Sequence, residues 1–243
     1  MNKLPENASE EEAKHLTDVE VSSEKKNRRS VKKIIWSCFF WGLITVFFFI
    51  ITDIFSRGFP FNSGTALKAA ERVRSTNNAR NLAVALQAYA ADHNDEFPEG
   101  NTASEVFSKL LTPDEKGRVY ITDKGYFFVK GSAWTPRKIE GAELNRTLVE
   151  GENHWALMSG LKTEGNARWP LVFDGPANSD GVYTDKSKNK GGVWDGKLAI
   201  VVRLDCSAKA EKLTDLKVAT DGQSNILVPT KDWAEGGKVL MPW

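Results

Sequence analysis

The sequence has little cysteine, little histidine and almost no net charge, and each shortage excludes a class of protein. Its 243 residues include two cysteines, Cys38 and Cys206, and three histidines. Two cysteines cannot build the disulfide framework of a small secreted domain, and no Cys/His cluster has the spacing of a zinc site. The net charge of +1 creates no field that would attract nucleic acid. We therefore predict a domain held together by packing, with no nucleic-acid partner.

The near-balance of charge hides a local asymmetry at the amino end. Residues 1–24 are acidic, and residues 1–33 contain too few apolar side chains to offset the entropy of ordering. We predict a disordered cytoplasmic tail over residues 1–33. Its last part carries a block of cations: Lys25, Lys26, Arg28, Arg29, Lys32 and Lys33.

An apolar run begins directly after these cations. No residue from Ile34 to Thr52 is charged, and phenylalanine falls on every face of the helix that this run would form. Such a helix rises about 28 Å, close to the ~30 Å hydrocarbon core of a bilayer. The alternatives are a buried core helix and a cleavable signal peptide, but the run is longer than a signal peptide's apolar region and no small-residue cleavage site follows it. We predict a transmembrane helix over residues 34–55.

The distribution of cations predicts the orientation of this helix. Six cations lie just before Ile34, whereas on the other side of the apolar run only Arg57 and then Lys68 follow. Because positive charge is retained in the cytoplasm, the amino terminus is predicted to be cytoplasmic and everything after Phe55 to be outside. The prediction is a single-pass protein of the cell inner membrane, with a periplasmic or extracytoplasmic carboxyl-terminal domain.

A hinge and a long helix follow. Pro60 and two glycines interrupt any continuous helix over residues 56–64, which we predict to be a linker. Ser63 or Thr65 can cap a helix that runs to about His93. Apolar residues in it recur at three- and four-residue steps and form one stripe suited to packing on a sheet. The stripe consists of Ala79, Leu82, Ala83, Leu86, Tyr89 and Ala90.

Short strand signals occupy the rest of the chain. Residues 119–121 and 126–129 flank a turn at residues 123–125 and predict a hairpin. Residues 171–173, 198–202 and 226–228 predict three further strands. One long helix followed by several strands predicts an α+β domain over residues 65–243, with the helix laid across an antiparallel sheet.

Residues near the end of the long helix resemble the signature of a known family. They are Asn77, Asn78, Leu82, Leu86, Tyr89, Asp92, Asn94, Phe97 and Pro98. This pattern is similar to that of pseudopilin-like proteins of the planctomycete and verrucomicrobial type, which resemble type II secretion system protein G and are related to type IV pilins. Residues 169–174 and 191–205 are similar to the family's closing hairpin.

The resemblance implies a pilin-like fold and a set of partners. A membrane-spanning helix leads into an amphipathic helix that packs on an antiparallel sheet, and the partners are other proteins, among them pilin-like subunits. The chain departs from the family at the processing site, since no glycine precedes Ile34 and no acidic residue occurs before Asp53. Pro60 interrupts a helix that pilins keep continuous, and the family's Asp-Gly-His motif is retained only at Asp205. We therefore expect a pseudopilin-like domain on an uncleaved anchor.

An acidic loop over residues 174–185 is the one candidate cofactor site, because related pseudopilins bind calcium in a loop. Its candidate calcium ligands are Asp174, Asn178, Asp180 and Asp185. The order does not fit an EF-hand, since Pro176 would occupy the first position, where a carboxylate is required. Three lysines follow within five residues and oppose a cation. The alternative is a turn-rich hairpin loop, and no other cofactor is predicted.

The sequence offers no set of catalytic residues. His154 and the isolated thiol of Cys206 have no spacing that relates them, so we predict a structural His154 and no enzyme activity. The tryptophans of the outer domain are predicted to pack in the core or at its edge. They are Trp134, Trp155, Trp169, Trp194, Trp233 and Trp243.

Two functions are consistent with this sequence. The first is a non-catalytic, membrane-anchored envelope protein that acts through protein contacts in or beside a type II secretion or type IV pilus-like system. The second is an extracytoplasmic module that binds sugar or calcium on a membrane anchor and takes no part in a filament.

Overall fold

The structure is a computed structural model that describes residues 36, 37, 39–53, 63–136, 147–220, 224–229 and 236–243. The chain divides into two units between Ser63 and Gly64, and each is described by itself. The predicted tail with its six cations, Cys38, Trp233 and most of the predicted linker lie outside the described residues.

The first unit contains helix α1, residues 39–53, and residues 36 and 37 are also helical. Every described residue of this stretch is exposed, and its large apolar side chains are 38–76% accessible. Within the described residues, none of the helices combines the length and the apolar character needed to cross a membrane.

Helix α2, Ser63–Asp92, supplies the first residues of the second unit and confirms the long helix predicted from the sequence. Ala79, Leu82, Ala83, Leu86 and Ala90 are all fully buried, as the apolar stripe predicts. By contrast, residues 65–70 are exposed. The carboxyl-terminal half of α2 therefore belongs to the core, and its first turns do not.

Helix α3, Ala103–Leu111, is short and strongly amphipathic. The Thr102 hydroxyl caps it by accepting a hydrogen bond from the Glu105 amide at 3.2 Å, while the Glu105 carboxylate accepts one from the Asn101 amide at 2.7 Å. This reciprocal arrangement satisfies amide groups that a helix leaves free at its amino end. Val106, Phe107 and Leu110 are fully buried.

The main sheet has five antiparallel strands, β1 Trp155–Met158, β2 Pro170–Asp174, β3 Leu198–Arg203, β4 Ala208–Lys212 and β7 Val239–Leu240. Their order across the sheet is β4-β3-β2-β1-β7. Strands β5 Ala219–Thr220 and β6 Ser224–Asn225 form a separate small ribbon. Every residue of β1 and β2 is buried, so both faces of the centre of the sheet are covered. The α+β class and the strands predicted at residues 171–173 and 198–202 are confirmed.

The hairpin predicted at residues 119–129 is wrong. A 3-10 helix, Lys124–Phe127, occupies its centre, and the Asp123 carboxylate caps it by accepting from the Gly125 amide at 2.7 Å. The amides of Tyr120 and Ile121 both donate to the carbonyl of Leu110 at 3.0 Å. Because α3 supplies the acceptor that a partner strand would have supplied, this segment packs against the helix end.

The strand predicted at residues 226–228 is also wrong. The strand ends earlier, at Asn225, whose side-chain oxygen accepts from the Leu227 amide at 3.1 Å and whose carbonyl accepts from the Val228 amide at 3.1 Å. An asparagine side chain that bonds to the following backbone favours a turn over an extended ladder.

Candidate functional site

A buried serine, histidine and aspartate meet at one end of the sheet. Ser132 lies in the loop after the 3-10 helix, His154 directly precedes β1, and Asp174 ends β2. Their exposed fractions are 5%, 1% and 0%. Strands β1 and β2 bring the last two together, because Trp155 is the register partner of Asp174 and the Gly175 amide donates to the His154 carbonyl at 3.0 Å.

The three side chains form a continuous hydrogen-bonded chain. Ser132 Oγ is 2.6 Å from His154 Nδ1, and His154 Nε2 is 2.6 Å from Asp174 Oδ1. The other carboxylate oxygen, Oδ2, accepts from Trp194 Nε1 at 2.7 Å and from the Ile200 amide at 2.5 Å. A carboxylate surrounded by donors acts as an acceptor, so Nε2 of His154 carries a proton. In the neutral imidazole, Nδ1 then offers its lone pair to the serine hydroxyl.

The loop that carries Ser132 is fixed by several further hydrogen bonds. The amide of Trp134 donates to Ser132 Oγ at 3.0 Å, and its indole Nε1 donates to the carbonyl of Gly175 at 3.0 Å. The ammonium group of Lys190 lies over the ring of this indole, 4.0 Å from its centroid. The serine is thus held in position from its own loop and from the end of β2.

Other buried polar groups surround this cluster. The hydroxyl of Tyr183 donates to the Asp174 carbonyl at 2.8 Å, and burial, followed by the charge of Asp174, raises the pKa of this tyrosine well above its usual range. Asn153 bonds to both backbone groups of Trp155, and Glu152 accepts from the Val149 amide at 2.9 Å. Polar groups are thus concentrated in the part of the core near the start of β1 and the end of β2.

The cluster has two chemical consequences. Every side-chain nitrogen and oxygen of Ser132, His154 and Asp174 has a hydrogen-bond partner. A buried network that is fully satisfied in this way rigidifies the loops that it joins. It also aligns a hydroxyl, an imidazole acceptor and a carboxylate, which is the arrangement that activates a serine for nucleophilic attack.

A second carboxylate cluster lies where α2 ends. Arg118 bridges Asp92 and Asp114, with nitrogen–oxygen distances of 2.5 and 2.7 Å, and the Tyr120 hydroxyl donates to the same two carboxylates at 3.0 and 3.2 Å. Desolvation raises the pKa of Asp114, but hydrogen bonds from Arg118 and from the Lys116 amide outweigh it and hold that pKa well below its usual range. Desolvation, and then the two carboxylates, raise the pKa of Tyr120 to about 12.

The predicted calcium ligands are placed in different surroundings. Asp174 is buried and both its oxygens are engaged in the cluster, whereas Asp180 and Asp185 are exposed. The side-chain oxygen of Asn178 accepts from the Val182 amide at 3.2 Å, as in a turn. Among the residues that the structure describes, no group of three or more His, Cys, Asp or Glu side chains is arranged to hold a metal ion. The calcium site remains a prediction.

The remaining residues of interest lie apart from the cluster. Cys206 is half-buried in the turn after β3, and desolvation raises the pKa of its thiol. His93, at the end of α2, stacks on Tyr89 with ring centroids 3.8 Å apart. Trp134 and Trp155 are buried, as their predicted packing role requires, and the other described tryptophans of the domain are half-buried.

Sequence reasoning missed Ser132 and the pairing of His154 with Asp174. A signal for that pairing was present: a polar histidine precedes an apolar segment, and an aspartate follows another. In an antiparallel pair the start of one strand lies beside the end of its neighbour, so pairing β1 with β2 would have joined them. Nothing comparable marks Ser132, whose approach depends on the loop conformation.

Comparisons with protein-family models, with curated proteins and with solved structures find no match to this chain. The pseudopilin-like family remains a prediction from its residues.

Proposed function

We propose that this chain is a single-pass inner-membrane protein whose α+β domain lies outside the cytoplasm and acts through contacts with other proteins, in or beside a type II secretion or type IV pilus-like system. The observation that carries the proposal is the exposed apolar surface of α1. A soluble protein rarely leaves so large an apolar patch without a partner.

The polar groups of α1 support a lipid environment. Thr45 Oγ1 donates to the Gly42 carbonyl at 2.8 Å, and Thr52 Oγ1 donates to the Phe49 carbonyl at 3.0 Å. In hydrocarbon, polar groups must be satisfied within the segment, and these hydroxyls are satisfied by the helix itself. The cations that precede Ile34 in the sequence match the cytoplasmic flank of a membrane helix.

The arrangement of α2 supports protein contacts as the mode of action. Its carboxyl-terminal half shares the hydrophobic core with the antiparallel sheet, which is the layout that the family resemblance implies. Its amino-terminal half exposes apolar side chains, with Leu67 60% and Val73 58% accessible. This half of the helix is available to another protein chain.

Membrane extraction of the full chain tests the anchor. We expect the wild-type protein to stay in the membrane pellet after alkaline carbonate treatment. Replacing Phe47 and Phe48 together by arginine should release most of it, because each arginine at the centre of a membrane helix costs about 2.5–3.5 kcal/mol. The matched control makes the same arginine substitutions at Val73 and Val84, which are exposed apolar residues of α2, and should leave the protein in the pellet. Wild-type protein in the carbonate supernatant would contradict the proposal.

The mass of the extracted chain tests the link to a pilus-like system. Removal of the tail near Ile34 supports processing by a prepilin-type peptidase. An intact amino terminus supports the uncleaved anchor that the missing signature predicts. Protease added outside the cytoplasmic membrane should digest the domain in either case, and protection of the domain would refute the predicted orientation.

A further inference from the structure

Three buried serines of the described domain differ in what their hydroxyl groups contact. Ser75, Ser104 and Ser132 are 1%, 1% and 5% exposed. The Ser104 hydroxyl donates to the carbonyl of Pro242, and the Ser75 hydroxyl has no hydrogen-bond partner among the described residues. Ser132 alone of the three lies against an imidazole nitrogen, that of His154. This difference gives Ser132 a proton acceptor that the other two lack.

We infer that Ser132 is a reactive nucleophile for acyl transfer from small esters, with His154 as its general base and Asp174 as a positioning residue. The inference goes beyond the proposed function and departs from the sequence-based prediction that the chain has no enzyme activity.

The contacts of Asp174 determine which nitrogen of His154 acts as the base. Because this carboxylate accepts from Trp194, Ile200 and the imidazole, Nε2 holds the proton and Nδ1 faces the hydroxyl of Ser132. In the serine-protease arrangement the base is Nε2 and the carboxylate contacts Nδ1. The ring is used the other way round here, and either nitrogen of a neutral imidazole can accept a proton.

A backbone amide fixes the orientation of the nucleophile. The amide of Trp134 donates to Ser132 Oγ at 3.0 Å, which leaves the hydroxyl proton directed at His154 Nδ1. A fixed amide dipole in a buried site acts more strongly than the same group in water. Ser132 Oγ therefore has both a proton acceptor and a hydrogen-bond donor in place.

The reaction balances without a further reactant. Ser132 Oγ forms a bond to the carbonyl carbon of the ester, its proton passes to His154 Nδ1, and the ester C–O bond breaks as that proton moves to the departing alkoxide. Water then attacks the acyl-serine, gives up a proton through the same imidazole, and releases a carboxylic acid with the serine restored.

The position of Ser132 limits the size of the substrate. Ser132 is 5% exposed, while its neighbours Gly131 and Ala133 are exposed and half-buried. A hydroxyl with so little exposed surface can react with a small acyl or phosphoryl group but not with the backbone of a folded polypeptide. This is why we assign small esters and not proteins as the substrate class.

Covalent labelling of the full chain in detergent tests the inference. The protein is treated with diisopropyl fluorophosphate, which transfers its phosphoryl group to an activated serine with loss of fluoride, and the adduct is located by peptide mass mapping. We expect Ser132 to be labelled on the order of 100-fold faster than Ser104, the contribution of a positioned general base. The wild-type chain unfolded in denaturant should lose this preference, because unfolding separates Ser132 from His154.

Variants and turnover complete the test. Ser132→Ala should abolish both the adduct and the hydrolysis of p-nitrophenyl acetate, and Ser104→Ala should leave both unchanged. Because Ser132→Ala itself weakens the fold, the mapping on wild-type protein decides the matter independently. Equal labelling of Ser132 and Ser104, labelling that survives denaturation, or an adduct without ester turnover would overturn the inference. Each of these outcomes leaves the membrane anchor untouched.

Discussion

Two carboxylates in this domain are each surrounded by donors, but the donors come from different distances along the chain. Asp174 takes its partners from residues 20 to 26 positions away, and every one of those donors is a neutral group or an imidazole. Asp114 takes most of its partners from the next six residues, and the shortest of these contacts, 2.7 Å, comes from the guanidinium group of Arg118. One cluster is built by strand pairing and the other by a tight turn.

The difference teaches what each cluster contributes. A buried carboxylate held by neutral donors depends on all of them, since water cannot replace a lost partner. Asp114 is itself only 6% exposed, but its cluster reaches the surface through Arg118 and Asp92, which are 32% and 38% exposed. Water and salt can partly replace a contact that is lost there. We therefore expect changes at Asp174 to lower the stability of the fold, and changes at Asp114 to alter mainly the pH dependence of that stability.

Asp174→Asn tests the buried cluster with the largest expected effect. The amide group turns one acceptor into a donor that faces the N–H groups of Trp194 and Ile200 or the imidazole of His154. A hydrogen bond to a charged group contributes about 1.5–3 kcal/mol, and the variant weakens at least one of the three that Asp174 accepts. The free energy of unfolding, from urea titration of the full chain in detergent, should fall by at least this amount. Asp180→Asn, at an exposed position, is the matched control, and similar losses in the two variants would refute the comparison.

Ser132→Ala tests the same cluster at its other end. The change leaves His154 Nδ1 and the Trp134 amide without their partner, which costs about 1–3 kcal/mol. The loss should be smaller than for Asp174→Asn because the hydrogen bonds lost at Ser132 involve no charged group. Ser179→Ala, at an exposed loop position, should leave the urea midpoint unchanged. A larger loss for Ser132→Ala than for Asp174→Asn would contradict this account, because it would show that the cluster depends more on the serine than on the carboxylate.

Local patterns predicted one class of feature in this domain. The stripe from Ala79 to Ala90 predicted α2 and its buried face, because helical periodicity depends on neighbouring residues only. The strands β2 and β3 were predicted from short apolar runs between turn residues, which is also a pattern of neighbouring residues. The α+β class followed from their order along the chain.

Features that depend on long-range partners were not predictable in this way. The cluster of Ser132, His154 and Asp174 requires β1 to pair with β2, and β1 was not among the predicted strands. The hairpin near Tyr120 was predicted wrongly for a related reason. The backbone of this segment bonds to the Leu110 carbonyl of α3, and not to a strand. Both failures reflect pairing that no local periodicity encodes.

Asp114→Asn tests the surface cluster through the pH dependence of stability. A carboxyl whose folded pKa lies below its unfolded value of 3.8 contributes stability above that pH, and the contribution is lost as the pH falls through the folded pKa. The difference in unfolding free energy between wild type and variant should therefore be constant at neutral pH and shrink below about pH 4. The exposed Asp185→Asn variant gives the baseline. A difference that grows on acidification would refute this account of Asp114.

Tyr120 provides the smallest and most local test of the same cluster. Burial, and then the carboxylates of Asp92 and Asp114, raise its pKa to about 12. A tyrosine whose folded pKa is raised contributes stability below its unfolded pKa of 10.0, and that contribution is lost as the pH rises toward the folded value. In Asp114→Asn one hydrogen-bond acceptor and one negative charge disappear, so the pKa of Tyr120 should fall while burial keeps it above 10.0. Ultraviolet titration of tyrosinate measures the shift, and Tyr120→Phe identifies the transition. If the transition stays in place in Asp114→Asn, Asp92 and burial alone raise this pKa, and Asp114 is linked to the cluster only through Arg118.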